Sequence, residues 1–329
     1  VVVATAAGGA GDARAPGPGD HDLRVRVGER TRSYRLHVPP AARRTSGAGN
    51  ETGLPLLIAF HGGGGRAAGF QANAGLDAVA DREGFAVAYP DGSGGLGRRL
   101  LTWNAGGCCG PAMRDGVDDV AFTRALVDDV AARIAIDRTR VYATGHSNGA
   151  MMAYRVAVEA PEIVAAVAPV GGAMQLDDFS AARPVPVLHI HSTDDPRALY
   201  AGGPGPPFPI TRKRVHHEPV ERALRRWVVL NGCPAEPEVV EERAEAATGH
   251  TAVHLRFAPC RSGAVVELWR LGGAGHAWPG GAAELGPRLL GPSTGVVSAS
   301  EEVWRFVSRF RNEAGERSEG ALARPPSTD

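Results

Sequence analysis

RVYATGHSNGAMMAYR, residues 140–155, runs a short apolar stretch of β character into a serine flanked by glycines and then directly into a segment of helical character. Gly145, Ser147 and Gly149 spell GxSxG. The pentapeptide is common, so its meaning comes from context. Here the turn between strand and helix must be sharp, and glycines two positions either side of the serine relieve the crowding that a Cβ would create. Ala150 and Ala153 let the helix approach a sheet closely. Such an elbow lifts the serine oxygen to the C-terminal edge of a strand, where a helix N-terminus favours developing negative charge. The competing reading is a polar residue in a tight turn.

The surroundings of this stretch set the fold class. PLLIAF (55–60), FAVAYP (85–90), VAAVAPV (164–170) and VPVLHIH (185–191) are continuous apolar runs, the mark of strands buried on both faces. Between them lie helical segments. In DVAFTRALVDDVAARI (119–134), Val120, Phe122, Leu126, Val127, Val130 and Ile134 gather on one face, with Asp128, Asp129 and Arg133 opposite. Alternating strands and helices imply right-handed crossovers and an α/β fold whose mostly parallel sheet is covered on both sides. LRVRV (23–27) and SYRLHV (33–38) instead alternate at period two around GERTR, which predicts an antiparallel N-terminal hairpin. TAVHLRF (251–257) and AVVELWR (264–270) read as two more strands. SASEEVWRFVSRF (298–310) reads as a closing amphipathic helix capped by Ser298 or Ser300. The Pro- and Gly-rich run 201–219 is expected to be a surface excursion. The domain reading is a flexible leader or signal-peptide remnant over 1–21, one catalytic domain over 22–311, and a disordered polar tail over 312–329.

The 329 residues carry 36 basic and 36 acidic side chains, a formal charge of zero, which gives no electrostatic footprint for nucleic acid. Lys213 is the one lysine in this arginine-rich chain, which fits coding bias better than phosphate recognition. No run reaches the roughly 18–20 apolar residues of a membrane span. The opening VVVATAAGGAGDARA resembles the back half of a secretory signal, and an exported, extracellular protein is expected. Four cysteines fit that compartment. Cys233 and Cys260 would close one local loop. Cys108 and Cys109 are adjacent, and the ~3.8 Å between neighbouring trans Cα atoms is below the usual disulfide separation, so free thiols are the simpler expectation for them.

A serine hydroxyl needs a base to take its proton. His276, in the glycine-rich LGGAGHAWPGG after a predicted strand, suits that role because in this type of fold the base follows the acid in chain order. His61, His189 and His191 sit at strand ends and are alternatives. The acid falls at Asp194 or Asp195, just past the strand VPVLHIH, and the residues alone do not choose between them. Oxyanion stabilisation requires two preorganised N–H donors. Asn148, following the serine, supplies one, and Gly63 in HGGGGRAAGF supplies the other, with Gly62 and Gly64 as neighbours. A phosphate-binding loop is disfavoured because neither GxxxxGK[ST] nor GxGxxG is present. His189 with His191 and His216 with His217 lack the spacing partners of a metal site, so no metal and no cofactor are expected.

HGGGGRAAGF, TWNAGGCCGPA, GVDDVAFTRALVDDV, GHSNGAMMAYR, HSTDDPRALYAGG, LNGC and GGAGHAWPGG, in that order, resemble the polyhydroxybutyrate depolymerase and feruloyl or acetylxylan esterase family. The resemblance spans about residues 22–311. It implies an α/β-hydrolase fold, secretion, and cofactor-free hydrolysis of carboxylic esters through an acyl-enzyme on Ser147. It implies His276 as base and Asp195, the last letter of the family's HGTxD pattern, as acid. Trp103, Asn104 and Trp278 match family positions and are candidate substrate-cleft residues, with core packing the other role open to the tryptophans. Ser192 stands where glycine is usual, and Asp194 adds a second carboxylate. The expected partner is an ester: a polyester, its oligomers, or an acylated polysaccharide. Acyl transfer to a sugar or lipid alcohol with the same triad is the alternative, followed by a noncatalytic binding protein of the same fold.

Overall fold

A computed structural model describes residues 15–44, 53–94, 100–181, 183–207, 214–282 and 287–312. The hairpin of β1 (Gly19–Val27) and β2 (Arg30–Val38) pairs in unbroken antiparallel register from Gly19 opposite Val38 to Val27 opposite Arg30. Its first strand starts three residues inside the segment expected to be a leader. The reason is side-chain chemistry that composition hides: the Asp20 carboxylate accepts from His37 Nδ1 at 2.7 Å and Gln71 Nε2 at 2.9 Å. Residues 1–14 of that leader lie outside the described residues.

β3 (Leu54–Phe60) is buried along its whole length. Leu56, Ile58 and Phe60 enter one core, and Leu57 and Ala59 enter the other. That two-sided burial explains the unbroken apolar run. α1 (Ala67–Ala74) and α2 (Leu76–Glu83) follow, then β4 (Ala86–Pro90), the short α3 (Gly110–Arg114), α4 (Asp119–Arg133) and β5 (Ile136–His146). Next come α5 (Asn148–Glu159), β6 (Ala166–Val170), β7 (Val187–Ser192) and a two-residue pair, β8 (Gly203–Pro204) with β9 (His216–His217). This pair lies in the expected excursion, whose residues 208–213, including Lys213, fall outside the described residues. The chain closes with α6 (Val220–Asn231), β10 (Glu238–Glu245), β11 (His250–Phe257), β12 (Val266–Gly272), α7 (Pro287–Leu290) and α8 (Ala299–Val307).

Ten strands form one sheet in the order β1-β2-β4-β3-β5-β6-β7-β12-β11-β10. The six from β4 to β12 run parallel, and the antiparallel pairs lie at the two edges. α4, α5 and α6 supply the core on one face, with Phe122, Met152 and Trp227 among its members. α1, α2 and α8 cover the other with Phe70, Val79 and Phe306. The fold class read from the sequence is therefore the one observed. β10 is an addition. Its sequence EVVEERAE is largely solvent-exposed and has no buried face to leave a periodic signal, while its charges guard an open sheet edge.

Ser298 is the α8 cap, and Ser300 is otherwise used: its hydroxyl accepts from Trp278 Nε1 and donates to the Ala74 carbonyl. Asn312 is likewise part of the domain and not of the tail. It is buried, its N–H donates to Thr139 O at 2.8 Å and its Nδ2 to Glu162 O at 2.7 Å. Residues 313–329 lie outside the described residues. Cys233 and Cys260 are bonded, tying the end of α6 to the β11–β12 connection. The sulfurs of Cys108 and Cys109 are in contact, with Cα atoms 3.1 Å apart across a cis peptide bond, and neither is the free thiol expected.

His37 holds the hairpin to α2. Its Nδ1 faces Asp20 and its Nε2 lies 2.9 Å from Asp81 Oδ1, with Asp77 3.7 Å away. Burial lowers the ring's pKa, but the hydrogen bonds to Asp20 and Asp81 and the charge of Asp77 outweigh it and carry the value above the ordinary 6.5. A folded value above the unfolded one stabilises fully below about pH 6.5, and the gain disappears as pH rises through the folded value. Urea midpoints across neutral and mildly alkaline pH are expected to fall with pH in the wild type and to flatten in His37→Gln. Parallel profiles would contradict this assignment.

Candidate active site

The elbow read from the sequence is built at the junction of β5 and α5. Ser147 has φ 57° and ψ −119°, a positive φ rarely adopted by non-glycine residues, and its N–H is held by Val170 O at 2.9 Å. The turn closes because its neighbours lack side chains. A Cβ on Gly149 would stand 2.1 Å from the Phe60 carbonyl oxygen, and one on Gly145 would stand 2.5 Å from Gly149. A third glycine escaped the sequence reading: a Cβ on Gly172, just past β6, would stand 2.3 Å from Ser147 O. PVGGAM carries that signal, a glycine pair directly after a buried strand.

Ser147 Oγ lies 2.8 Å from His276 Nε2, and His276 Nδ1 lies 2.7 Å from Asp195 Oδ2. The loop bearing His276 is fixed from below by Gly275 N–H on Pro292 O. The two adjacent aspartates have separate tasks. Asp195 is buried, and its Oδ1 accepts the N–H groups of Arg197 and Ala198 at 2.7 and 2.8 Å. Asp194 turns outward, and its Oδ2 accepts from Gly273 N–H at 2.8 Å, so it braces the histidine loop. Ser192 joins the same two loops: its hydroxyl donates to Ala274 O at 2.6 Å and accepts from Asp194 N–H. Burial alone would raise the Asp195 pKa. The charge of His276 and the hydrogen bonds from His191 and His276 overcome it and hold the carboxyl well below the usual range.

Asn148 opens α5, so its N–H has no carbonyl one turn earlier to bond. Gly63 packs against it, with the Asn148 Cβ 3.5 Å from where a Gly63 Cβ would be. In the glycine turn, Gly64 N–H goes to Leu101 O and Gly65 N–H to Gly62 O, and neither bond uses Gly63. His61 anchors this turn instead of facing the serine. Its Nδ1 donates to Gly62 O at 2.7 Å, its Nε2 accepts from Gly92 N–H at 3.0 Å, and burial lowers its pKa to about 4.

Two of the three expected cleft residues have structural work. Trp103 is fully buried, its Nε1 donates to His61 O at 2.8 Å, and its own N–H and C=O pair with the Asn148 side chain. Asn104 gives its N–H to Asp119 and its Nδ2 to Val117 O, and its carbonyl accepts from Arg155. For Trp103 these contacts are those of the core-packing role left open by the sequence, and the Trp-Asn pair holds the residue after Ser147 in place. Asp119, which sequence reasoning missed, is itself buried against Arg32 at 2.8 Å and so links β2, α4 and this loop.

Trp278, buried at 4% exposure, lines a cavity of about 340 Å³ beside His276, together with Phe70, His146, His250, Leu290 and Pro292. Among the described residues, His146 Nε2 and His250 Nδ1 are buried there without hydrogen-bond partners, which marks the wall as able to accept a polar group. Burial, helped by the neighbouring His276, lowers the His146 pKa to about 3, so its ring is neutral.

Asp20, His37 and Asp77 bring ligand-type atoms within 4.8 Å of one another, the one such metal-like grouping among the described residues. Both nitrogens of His37 already face carboxylates, and Gln71 Nε2 donates to both Asp20 and Asp77, so internal donors satisfy the acids. The histidine pairs considered for a metal are placed elsewhere: His189 and His191 bond each other, and His216 and His217 form β9.

Gly149→Ala is expected to force β3 and α5 apart, lowering stability by about 1–3 kcal/mol or more and disordering the Ser147 elbow. Denaturant midpoints together with fluorophosphonate labelling of Ser147 check this, and a wild-type midpoint with wild-type labelling would refute it.

Comparison with known proteins agrees with this architecture. The family described as Esterase PHB depolymerase matches residues 32–203. NocK of Nocardia uniformis subsp. tsuyamanensis is 33% identical over 297 residues, covering 86% of this chain and 81% of that protein. Feruloyl esterase B of Piromyces equi is 29% identical over 70% of this chain, and the match spans 41% of its length. Among solved structures, the acetyl xylan esterase from Aspergillus awamori superposes with a TM-score of 0.51 at 14% identity, covering 79% of this chain and 94% of that one, a likeness of fold. With its α/β-hydrolase architecture and a family match across half its length, the chain belongs to the PHB depolymerase esterase family, serine hydrolases that act on carboxylic esters.

Proposed function

We propose that Ser147, His276 and Asp195 are the catalytic triad of a secreted ester hydrolase that works through an acyl-enzyme on Ser147. The unbroken run of hydrogen bonds from Ser147 Oγ through His276 to Asp195 carries this reading. Ser147 Oγ attacks the ester carbonyl while its proton passes to His276 Nε2. The imidazolium that forms is stabilised by Asp195, which stays ionised. The oxyanion of the tetrahedral intermediate is received by the N–H groups of Gly63 and Asn148. As the C–O bond breaks, His276 returns the proton to the leaving alcohol. Water, deprotonated by the same histidine, then releases the acid from Ser147.

The leaving oxygen must lie within reach of His276, so the cavity lined by His276, Trp278 and Phe70 is the place for one half of a compact ester. Its size suits a small substituent or a single unit of an oligomer. Feruloyl or acetyl esters of polysaccharide, or hydroxyalkanoate oligomers, are the substrate class proposed. Export is supported by the Cys233–Cys260 bond, a type of crosslink that persists in oxidising compartments.

Ser147→Ala is expected to lower kcat for p-nitrophenyl butyrate on the order of 10⁶-fold, and Asp195→Asn about 10⁴-fold. Undiminished turnover in Ser147→Ala would sink the assignment. Methyl ferulate, acetylated xylan and a hydroxybutyrate trimer, assayed side by side with and without an added alcohol acceptor, then separate hydrolysis from acyl transfer. Free acid as the main product is the expected result.

A further inference from the structure

Behind Asp195 lies a second set of buried polar side chains that the reaction above does not use. Tyr154 on α5 and His189 and His191 on β7 are all buried, and the histidines, two apart on one strand, share one face of the sheet. Tyr154 OH lies 3.0 Å from His189 Nδ1, and His189 Nε2 lies 3.0 Å from His191 Nδ1. His191 Nε2 lies 2.8 Å from Ala198 O and 3.2 Å from Asp195 Oδ2.

Proton positions along this chain follow from its last member. A carbonyl only accepts, so His191 Nε2 must carry a hydrogen, shared between Ala198 O and Asp195 Oδ2. With that hydrogen on Nε2, His191 accepts at Nδ1, which requires the hydrogen of His189 on Nε2. His189 Nδ1 in turn accepts from Tyr154 OH. Every donor therefore points toward Asp195. Burial agrees with this state of protonation: it pushes the Tyr154 pKa well above 10 and the His189 pKa well below 6.5, so the phenol keeps its proton and the imidazole stays neutral. His217, also near Asp195, is lowered by burial to about 4, and His146, against His276, is neutral as well. Asp195 thus faces His276 and His191 through hydrogen bonds, with His217 near and the N–H groups of Arg197 and Ala198 on its other oxygen.

We propose that Tyr154, His189 and His191 are positioning residues, a one-way donor chain that orients the Asp195 carboxylate and limits its basicity toward His276. The proposal rests on the triad reading above. Removing the His191 donor leaves Asp195 to interact more strongly with the His276 imidazolium. His276 then holds its proton to higher pH, and the Asp195 carboxylate loses one of the contacts that fix its plane.

The test is the pH profile of kcat and kcat/KM for p-nitrophenyl butyrate in wild type, His191→Leu, His191→Gln and Tyr154→Phe. His191→Leu is expected to lower kcat about 10- to 100-fold and to move the acid limb of kcat/KM to higher pH. His191→Gln, whose amide N–H can still donate to Asp195, is expected to recover most of both effects. Tyr154→Phe is expected to cost a few-fold. A leucine variant with wild-type kcat and acid limb overturns the proposal. So do leucine and glutamine variants that are equally impaired, because volume alone would then matter. Should His191→Leu fail to fold, long-range ¹⁵N–¹H spectra of the wild type decide: His189 and His191 must both be Nε2–H tautomers, and an Nδ1–H or doubly protonated ring at either overturns the chain. Loss of turnover in Ser147→Ala with a wild-type profile in His191→Leu removes this proposal alone, whereas turnover persisting in Ser147→Ala removes the triad reading beneath it.

Discussion

Everything at the site depends on how closely α5 can approach the end of β3. Gly149 sits where a single methyl group would collide with the carbonyl oxygens of Phe60 and His61, and Gly145 presses against Gly149 in the same gap. This backbone-on-backbone contact forces Ser147 into its positive-φ turn and fixes where the first N–H of α5 lies relative to Gly63. Because the contact is steric it leaves little room for compromise: a packed interior resists a displacement of even one methylene. The asparagine after the serine then couples the elbow to a second loop, exchanging two hydrogen bonds with the Trp103 backbone.

Much of the fold was legible because burial on both faces writes continuous apolar runs, as in β3, β4, β6 and β7. The edges were less legible. β10 makes its contacts through backbone and charge, and neither leaves a hydrophobic period. Both ends of the domain were misplaced by a few residues for a related reason, since Gly19 to His21 are held by pairing with β2 and by the contacts of Asp20, and Asn312 by hydrogen bonds to Thr139 and Glu162, none of which composition registers.

At the site, Ser147 and His276 could be singled out by motif and chain order, but Asp194 and Asp195 are chemically equivalent as letters. The family resemblance favoured Asp195, and the path of the loop turns its carboxylate inward to His276 and that of Asp194 to Gly273 N–H. The tryptophans, for which cleft and core were both open, divide between the two roles: Trp278 lines the cavity beside His276, whereas Trp103 is wholly interior and works through its backbone and indole N–H. Asp119 and Gly172 were overlooked because each acts on another site residue, and His191 was weighed only as a base or a metal ligand because its contact with Asp195 leaves no mark in the sequence.

The three side chains of the hydrogen-bonded array come from far apart in the chain, with Ser147 129 positions and Asp195 81 positions before His276. They meet only when β5, β6, β7 and β12 are all in register, since each is carried just past the end of one of these strands or held by the strand between. No local fragment of the chain can assemble the array. On the triad proposed above, ester turnover is therefore a long-range ruler of folding, present once the sheet has closed from the elbow strand to the histidine strand and absent from any intermediate in which those four strands have not yet come together.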